Sequence, residues 1–137
     1  MKTAEDTNIL FDILLDDPSF AQSSITALVQ SVREGLVVVC DTVFAELAAY
    51  FDTADQLSKF LEEFGIQSEL LDTATMVDAH IRTWCPSCGT AFQVRQHVLP
   101  DFLIVAHAVC QSSRLLTRDR GFYRQYFDQL KVWDPVD

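Results

Sequence analysis

Short apolar runs of strand length alternate along this chain with longer stretches whose apolar residues recur at helical spacing. Leu36-Val37-Val38-Val39-Cys40 is continuous and β-branched, as expected of a parallel strand buried on both faces. Residues 3–7 precede the periodic stretch Ile9 to Leu15, which predicts a strand ending near Asp6 and a helix beginning at Asn8. Asp17-Pro18 predicts the next helix, with Asp17 as N-cap and Pro18 in the first helical position. That helix runs to about Glu34 and is stopped by Gly35. Asp41 opens a further helix through Phe51, and Thr53-x-x-Gln56 is a capping box for another that Gly65 closes. Ile66 to Leu71 reads as a short strand, 73–84 as helical, and 85–99 as the least regular stretch. Pro100 starts an apolar helix to about Ser112. Arg114 to Thr117 reads as a strand, Asp119 to Phe127 as a helix, and Leu130 to Trp133 as a last strand.

Strands alternating with helices imply βαβ units, hence a parallel sheet with helices on both faces. In such folds ligands bind beyond the carboxyl ends of the strands. Asp6, at the end of the first strand, and Asp119, just after Leu115-Leu116-Thr117, would both reach that crevice. No repeat, low-complexity segment or linker divides the chain, so residues 1–137 are expected to form a single domain.

Composition adds limits. Apolar residues make up 49% and charged residues 22% of 137, enough to bury a core. No apolar run reaches the length of a membrane span, and the acids Glu5 and Asp6 stand where a signal peptide would be basic. A soluble cytoplasmic protein is expected. The formal charge of −10 argues against simple binding of nucleic acid through phosphate neutralisation. Its distribution changes the picture: residues 1–68 carry three basic residues against twelve acids, residues 69–137 seven against eight. Arg114, Arg118, Arg120 and Arg124 lie close together, so a local basic patch can sit on an acidic body. Cys40 and Cys110 fall in apolar segments and read as small buried hydrophobes.

Four segments bring an acid out of an apolar context: Asp6 before Asn8-Ile9-Leu10, Glu46 in Phe44-Ala45-Glu46-Leu47, Asp101 in Leu99-Pro100-Asp101-Phe102, and Asp119 after Leu116-Thr117-Arg118. Buried acids are costly unless paired or ligating metal. Carboxylates converging on one crevice repel one another, and a hard divalent cation resolves the repulsion; Mg²⁺ or Mn²⁺ suits an all-oxygen set. Taken singly, each acid reads better as a cap, a turn residue, a solvated position or a salt-bridge member than as a ligand.

Together these segments resemble the PIN domain and, within it, the VapC toxins of toxin–antitoxin pairs. Asp6-Thr7-Asn8-Ile9-Leu10 looks like the opening motif of that family, and Phe44-Ala45-Glu46-Leu47 like its glutamate-bearing helix. Leu99-Pro100-Asp101-Phe102-Leu103-Ile104 looks like its third-acid segment and Leu116-Thr117-Arg118-Asp119-Arg120-Gly121 like its fourth. The matches run in order over nearly the whole chain. The resemblance implies a PIN-like three-layer α/β/α sandwich with a parallel sheet of about five strands. It implies a metal-dependent endoribonuclease acting on single-stranded or loop RNA, a homodimer, and a cognate antitoxin as partner. Asp6, Glu46, Asp101 and Asp119 would then hold Mg²⁺ or Mn²⁺, with Asn8 and Thr117 supporting the site.

Other features stand beside that core. Cys85 and Cys88, as C-x₂-C, are half of a tetrahedral zinc site that His80 and His97 could complete; two free thiols on a surface loop is the preferred reading. His107, on an apolar helix, reads as a satisfied structural histidine. Arg118 and Arg120 flank Asp119 and are the candidates for RNA contact. Phe122, Tyr123, Tyr126 and Phe127 could stack bases, although helical spacing favours core packing for Phe122, Tyr126 and Phe127. The alternatives are a catalytically silent PIN scaffold acting as an interaction module and a doubly wound signalling domain with an acidic Mg²⁺ pocket. The second would need a lysine after a late strand, where this chain has Thr117-Arg118-Asp119.

Overall fold

Alternation of strand and helix builds one parallel sheet. The computed structural model describes residues 1–77, 99–119 and 130–136. Its strands are β1 (Lys2–Glu5), β2 (Leu36–Cys40), β3 (Ile66–Glu69), β4 (Arg114–Leu116) and β5 (Val132–Trp133). Its helices are α1 (Thr7–Leu14), α2 (Ala21–Glu34), α3 (Asp41–Ala48), α4 (Ala54–Glu63) and α5 (Leu99–Gln111). Residues 73–77 are also helical. The strand order is β3-β2-β1-β4-β5, every pair parallel, with helices flanking the sheet as the sequence implied.

β1 is the central strand, and Thr3, Ala4 and Glu5 are all buried. Four of the five residues of β2 are buried too, as its unbroken apolar run required. Side chains alternate between the faces. One cluster joins Leu116 to Ile9 of α1 and Ala27 of α2, with Trp133 against it. The larger core gathers Ala4, Val38 and Leu115 with Val43, Leu47, Phe102 and Val105. α4 begins with half of its capping box: the Thr53 hydroxyl accepts the Gln56 N–H at 3.2 Å, while the Gln56 side chain accepts the N–H of Asp52, one residue before the cap, at 3.0 Å. It ends where Gly65 takes a left-handed backbone, φ +72°.

Several boundaries differ from expectation. α2 begins at Ala21, not at Pro18: Asp17 does accept the N–H groups of Ser19 and Phe20, at 2.8 and 3.0 Å, as a cap would, but Phe20, at φ −124°, leaves helical geometry and separates that turn from the helix. α3 stops at Ala48, not Phe51, and β3 stops at Glu69, not Leu71. Cys40 is buried as expected, but Cys110 is exposed on α5. His107 is the buried structural histidine the sequence suggested: its Nε2 lies 2.9 Å from Glu69 Oε2, and burial holds its pKa below the usual value. Cys85, Cys88, His80, His97, Arg120 and the 122–127 aromatics lie outside the described residues, as does most of the helix expected over 119–127. Among the described residues no helix is long and apolar enough to cross a membrane.

Candidate active site

β1 connects to β2 on one side and pairs with β4 on the other, so the strand order reverses about β1. That reversal opens a crevice beyond the carboxyl ends of β1 and β4. A cavity of about 500 Å³ is lined by Asp6, Thr7, Asn8, Phe11, Glu46, Tyr50, Asp101 and Asp119. Four separate segments thus deliver the four expected acids to one cavity. β1 ends at Glu5 and presents Asp6, whose extended backbone caps α1. α3 contributes Glu46, the first turn of α5 contributes Asp101, and the loop after β4 contributes Asp119.

Asp6 is 5% exposed and firmly held. Its N–H donates to the Leu116 carbonyl at 3.0 Å, locking it to β4. Its Oδ2 accepts the Thr117 hydroxyl at 2.6 Å and the Asn8 amide at 3.1 Å. The Thr117 oxygen in turn accepts the Asn8 amide at 3.1 Å and the Asp119 N–H at 3.0 Å. A hydroxyl has one donor and two acceptor positions, and Thr117 uses all three. Asn8 and Thr117 therefore connect Asp6 with the backbone of Asp119. Glu46 is held separately, by the Thr7 hydroxyl in a short hydrogen bond.

The donor set consists of carboxylates and hydroxyls, the oxygen chemistry that Mg²⁺ and Mn²⁺ take. Among the described residues no three His, Cys, Asp or Glu side chains are drawn together as a ready ligand set. The acids share a cavity wall, while Asp6 and Glu46 each point to their own hydroxyl donor. The residues fit such a metal by kind and line one cavity, without being gathered into a ligand set.

Two arginines of the expected basic patch have other work. Arg114 begins β4, at the end of the strand away from the crevice. Its Nε donates to Thr3 Oγ1 at 2.9 Å, an Nη reaches Glu34, and its guanidinium lies over Trp133. Arg118 is bound to Asp12 through two contacts of 2.7 Å and lies 4.0 Å from the Phe20 ring centroid. Arg118 is thus held by the protein's own groups while its side chain stays partly exposed.

Sequence reading passed over Thr7, Phe11 and Tyr50, and it placed Glu5 only as a charge. Tyr50 stands four residues after Glu46 and Phe11 four after Thr7, spacings that put each pair on one face and could have revealed the aromatic wall. Tyr50 is exposed at the cavity lip and meets the Phe11 ring edge-on, centroids 5.0 Å apart. Glu5 is 1% exposed with neither carboxyl oxygen bonded, and burial pushes its pKa from 4.5 up to about 8.

The chain resembles known proteins in its fold. No family model matches it, and no curated protein matches it significantly. Solved structures do. It is similar to a chain of VapBC-1 from nontypeable Haemophilus influenzae, at TM-score 0.66 and 16% identity over 100% of both chains. It is also similar to a chain of VapBC2 from Rickettsia felis bound to a promoter DNA fragment, at TM-score 0.65 and 15% identity over 98% of both. A third likeness is to DNA-bound VapBC from Salmonella typhimurium, at TM-score 0.59 and 16% identity. At these identities the likeness shows the fold.

Proposed function

We propose that this chain is a metal-dependent endoribonuclease of the VapC type, the toxin of a toxin–antitoxin pair. One observation carries the proposal: Asp6, Glu46, Asp101 and Asp119, from four separate segments, line one cavity at the reversal of strand order. The full-length fold likeness to VapBC chains supports it. Asp6, Glu46, Asp101 and Asp119 would hold Mg²⁺ or Mn²⁺, which when bound lowers the pKa of a water and offsets charge on the scissile phosphate. The chain's own part is orientation. Thr117 and Asn8 fix the Asp6 carboxylate, and Thr7 fixes Glu46. The fold likeness also supports an antitoxin partner, while a homodimer and a cytoplasmic site of action follow from the VapC reading.

The test is cleavage of single-stranded RNA with and without Mg²⁺ or Mn²⁺, alongside thermal melting. Cleavage is expected only with metal. Millimolar Mg²⁺ is expected to raise the Tm, because an ion that binds only the folded form stabilises it by mass action. Neither cleavage nor a Tm shift would leave the silent-scaffold alternative standing.

RNA contact cannot rest on long-range attraction to a chain of charge −10. With Arg114 and Arg118 engaged, the exposed ring of Tyr50 at the cavity lip is the better-placed group, offering a face on which an unstacked base can lie. A base stacked on an aromatic side chain contributes about 1–3 kcal/mol, so Tyr50→Leu is expected to raise KM roughly tenfold with kcat little changed. Tyr50→Phe should keep the wild-type KM. An unaltered KM in Tyr50→Leu would place the RNA elsewhere.

A further inference from the structure

Asp12 and Arg118 form the most fully engaged ion pair in the described structure, and Arg118 directly precedes Asp119, which lines the cavity. Asp12, on α1, is 3% exposed. Its Oδ2 accepts Arg118 Nε at 2.7 Å and the Ser24 hydroxyl of α2 at 2.7 Å. Its Oδ1 accepts Arg118 Nη2 at 2.7 Å, completing a fork on a carboxylate. Phe20 covers the guanidinium on its face. Asp17 and Asp134 add favourable charge around the same group. Three elements, α1, α2 and the segment leading into α2, therefore grip one side chain of the loop after β4.

That loop carries Asp119. The Arg118 N–H donates to Asn8 Oδ1 at 3.3 Å, and Asn8 bonds Asp6 and Thr117. The next residue returns to the same group: the Asp119 N–H donates to Thr117 Oγ1. Asp119 itself is exposed and lines the cavity. β4 ends at Leu116, so no strand hydrogen bonding holds residue 118 or 119. Adjacent Cα atoms are about 3.8 Å apart, so fixing Arg118 confines Asp119.

We propose that Asp12, Ser24 and Arg118 are positioning residues that hold the Thr117–Asp119 loop so that Asp119 faces Asp6 across the cavity. The consequence for metal and RNA rests on the nuclease reading above, whereas the placement of the loop does not. A pair that only joined helices to the sheet would stabilise the protein and leave Asp119 where it is. A positioning pair also governs the loop and what the loop binds.

Asp12→Asn and Arg118→Lys separate the two. The first keeps shape and removes charge; the second keeps charge and removes the planar fork. In metal-free protein, NMR amide exchange is expected to accelerate at Asp119 in both variants while the amides of β2 keep wild-type protection. Calorimetric Mn²⁺ affinity is expected to fall about 10-fold, the lower end of the loss when the groups that orient a metal ligand are disturbed. On RNA the loss is expected at subsaturating Mg²⁺ and to be partly recovered at high Mg²⁺, most fully in Arg118→Lys. Wild-type exchange at Asp119 and wild-type Mn²⁺ affinity in a folded variant would overturn the proposal, whatever happens to Tm. Should Asp12→Asn fail to fold, Arg118→Lys decides. Should the wild type neither bind Mn²⁺ nor cut RNA, the nuclease reading falls and the exchange measurement alone decides on the loop.

Discussion

An Asp6→Asn protein is expected to fold as the wild type does and to cut RNA more than about 100-fold more slowly, since losing even an outer partner of a metal ligand costs roughly 10–100-fold. Asp6 closes the central strand, and its N–H bond to Leu116 is untouched by the change. The Thr117 hydroxyl can still donate to the amide oxygen that replaces Oδ2. What disappears is a negative charge at the point where Asn8 and Thr117 converge. Removing one of four acids around a cavity relieves repulsion, so the metal-free Tm should hold or rise slightly. A melt without metal and initial rates with Mg²⁺ or Mn²⁺ check both halves. Cleavage at the wild-type rate would remove Asp6 from the machinery and the proposed function with it.

How much of this was legible depends on how far apart the interacting residues lie. The sheet was legible because each strand announces itself locally: Leu36–Cys40 is an apolar β-branched run, and Leu115-Leu116 is flanked by polar residues. The four acids were legible because each sits in a short apolar signature, and two follow strands that the fold sends to one edge. Asn8 and Thr117 came with those signatures. The Asp12 partner of Arg118 was not legible because it lies 106 positions away, and nothing near residue 118 signals that α1 will bring Asp12 to it. Asp17 caps a turn as its sequence suggests, but α2 starts only at Ala21, because the backbone of Phe20, which no local signal marks, departs from helical geometry. Glu5 was read as one charge in an acidic N-terminus. A strand central to a sheet covered on both faces buries alternate residues on both sides, so Glu5 had to be inside once β1 was central.

That burial gives the second large effect. Glu5 lies beside Leu116 in the β1–β4 register, fully enclosed, and neither of its oxygens has a partner. Burial favours the neutral acid, which moves the pKa from 4.5 to about 8. The folded protein therefore keeps a proton that the unfolded chain gives up above about pH 4.5. Stability from this group is intact below that pH, falls as pH rises towards 8, and is level beyond. A pKa unit corresponds to about 1.4 kcal/mol, so the full loss is on the order of 5 kcal/mol, a large part of a typical margin of 5–15 kcal/mol. Glu5→Leu, close in size and without charge, is expected to gain several kcal/mol at pH 8 and much less at pH 5. For a domain of this length each kcal/mol moves Tm by roughly 3–5 °C, so the pH 8 gain should exceed about 10 °C. Urea unfolding of both proteins from pH 5 to 8 measures the difference directly. A gap between wild type and Glu5→Leu that stays constant over that range would show that Glu5 ionises freely in the folded protein and is not enclosed beside Leu116.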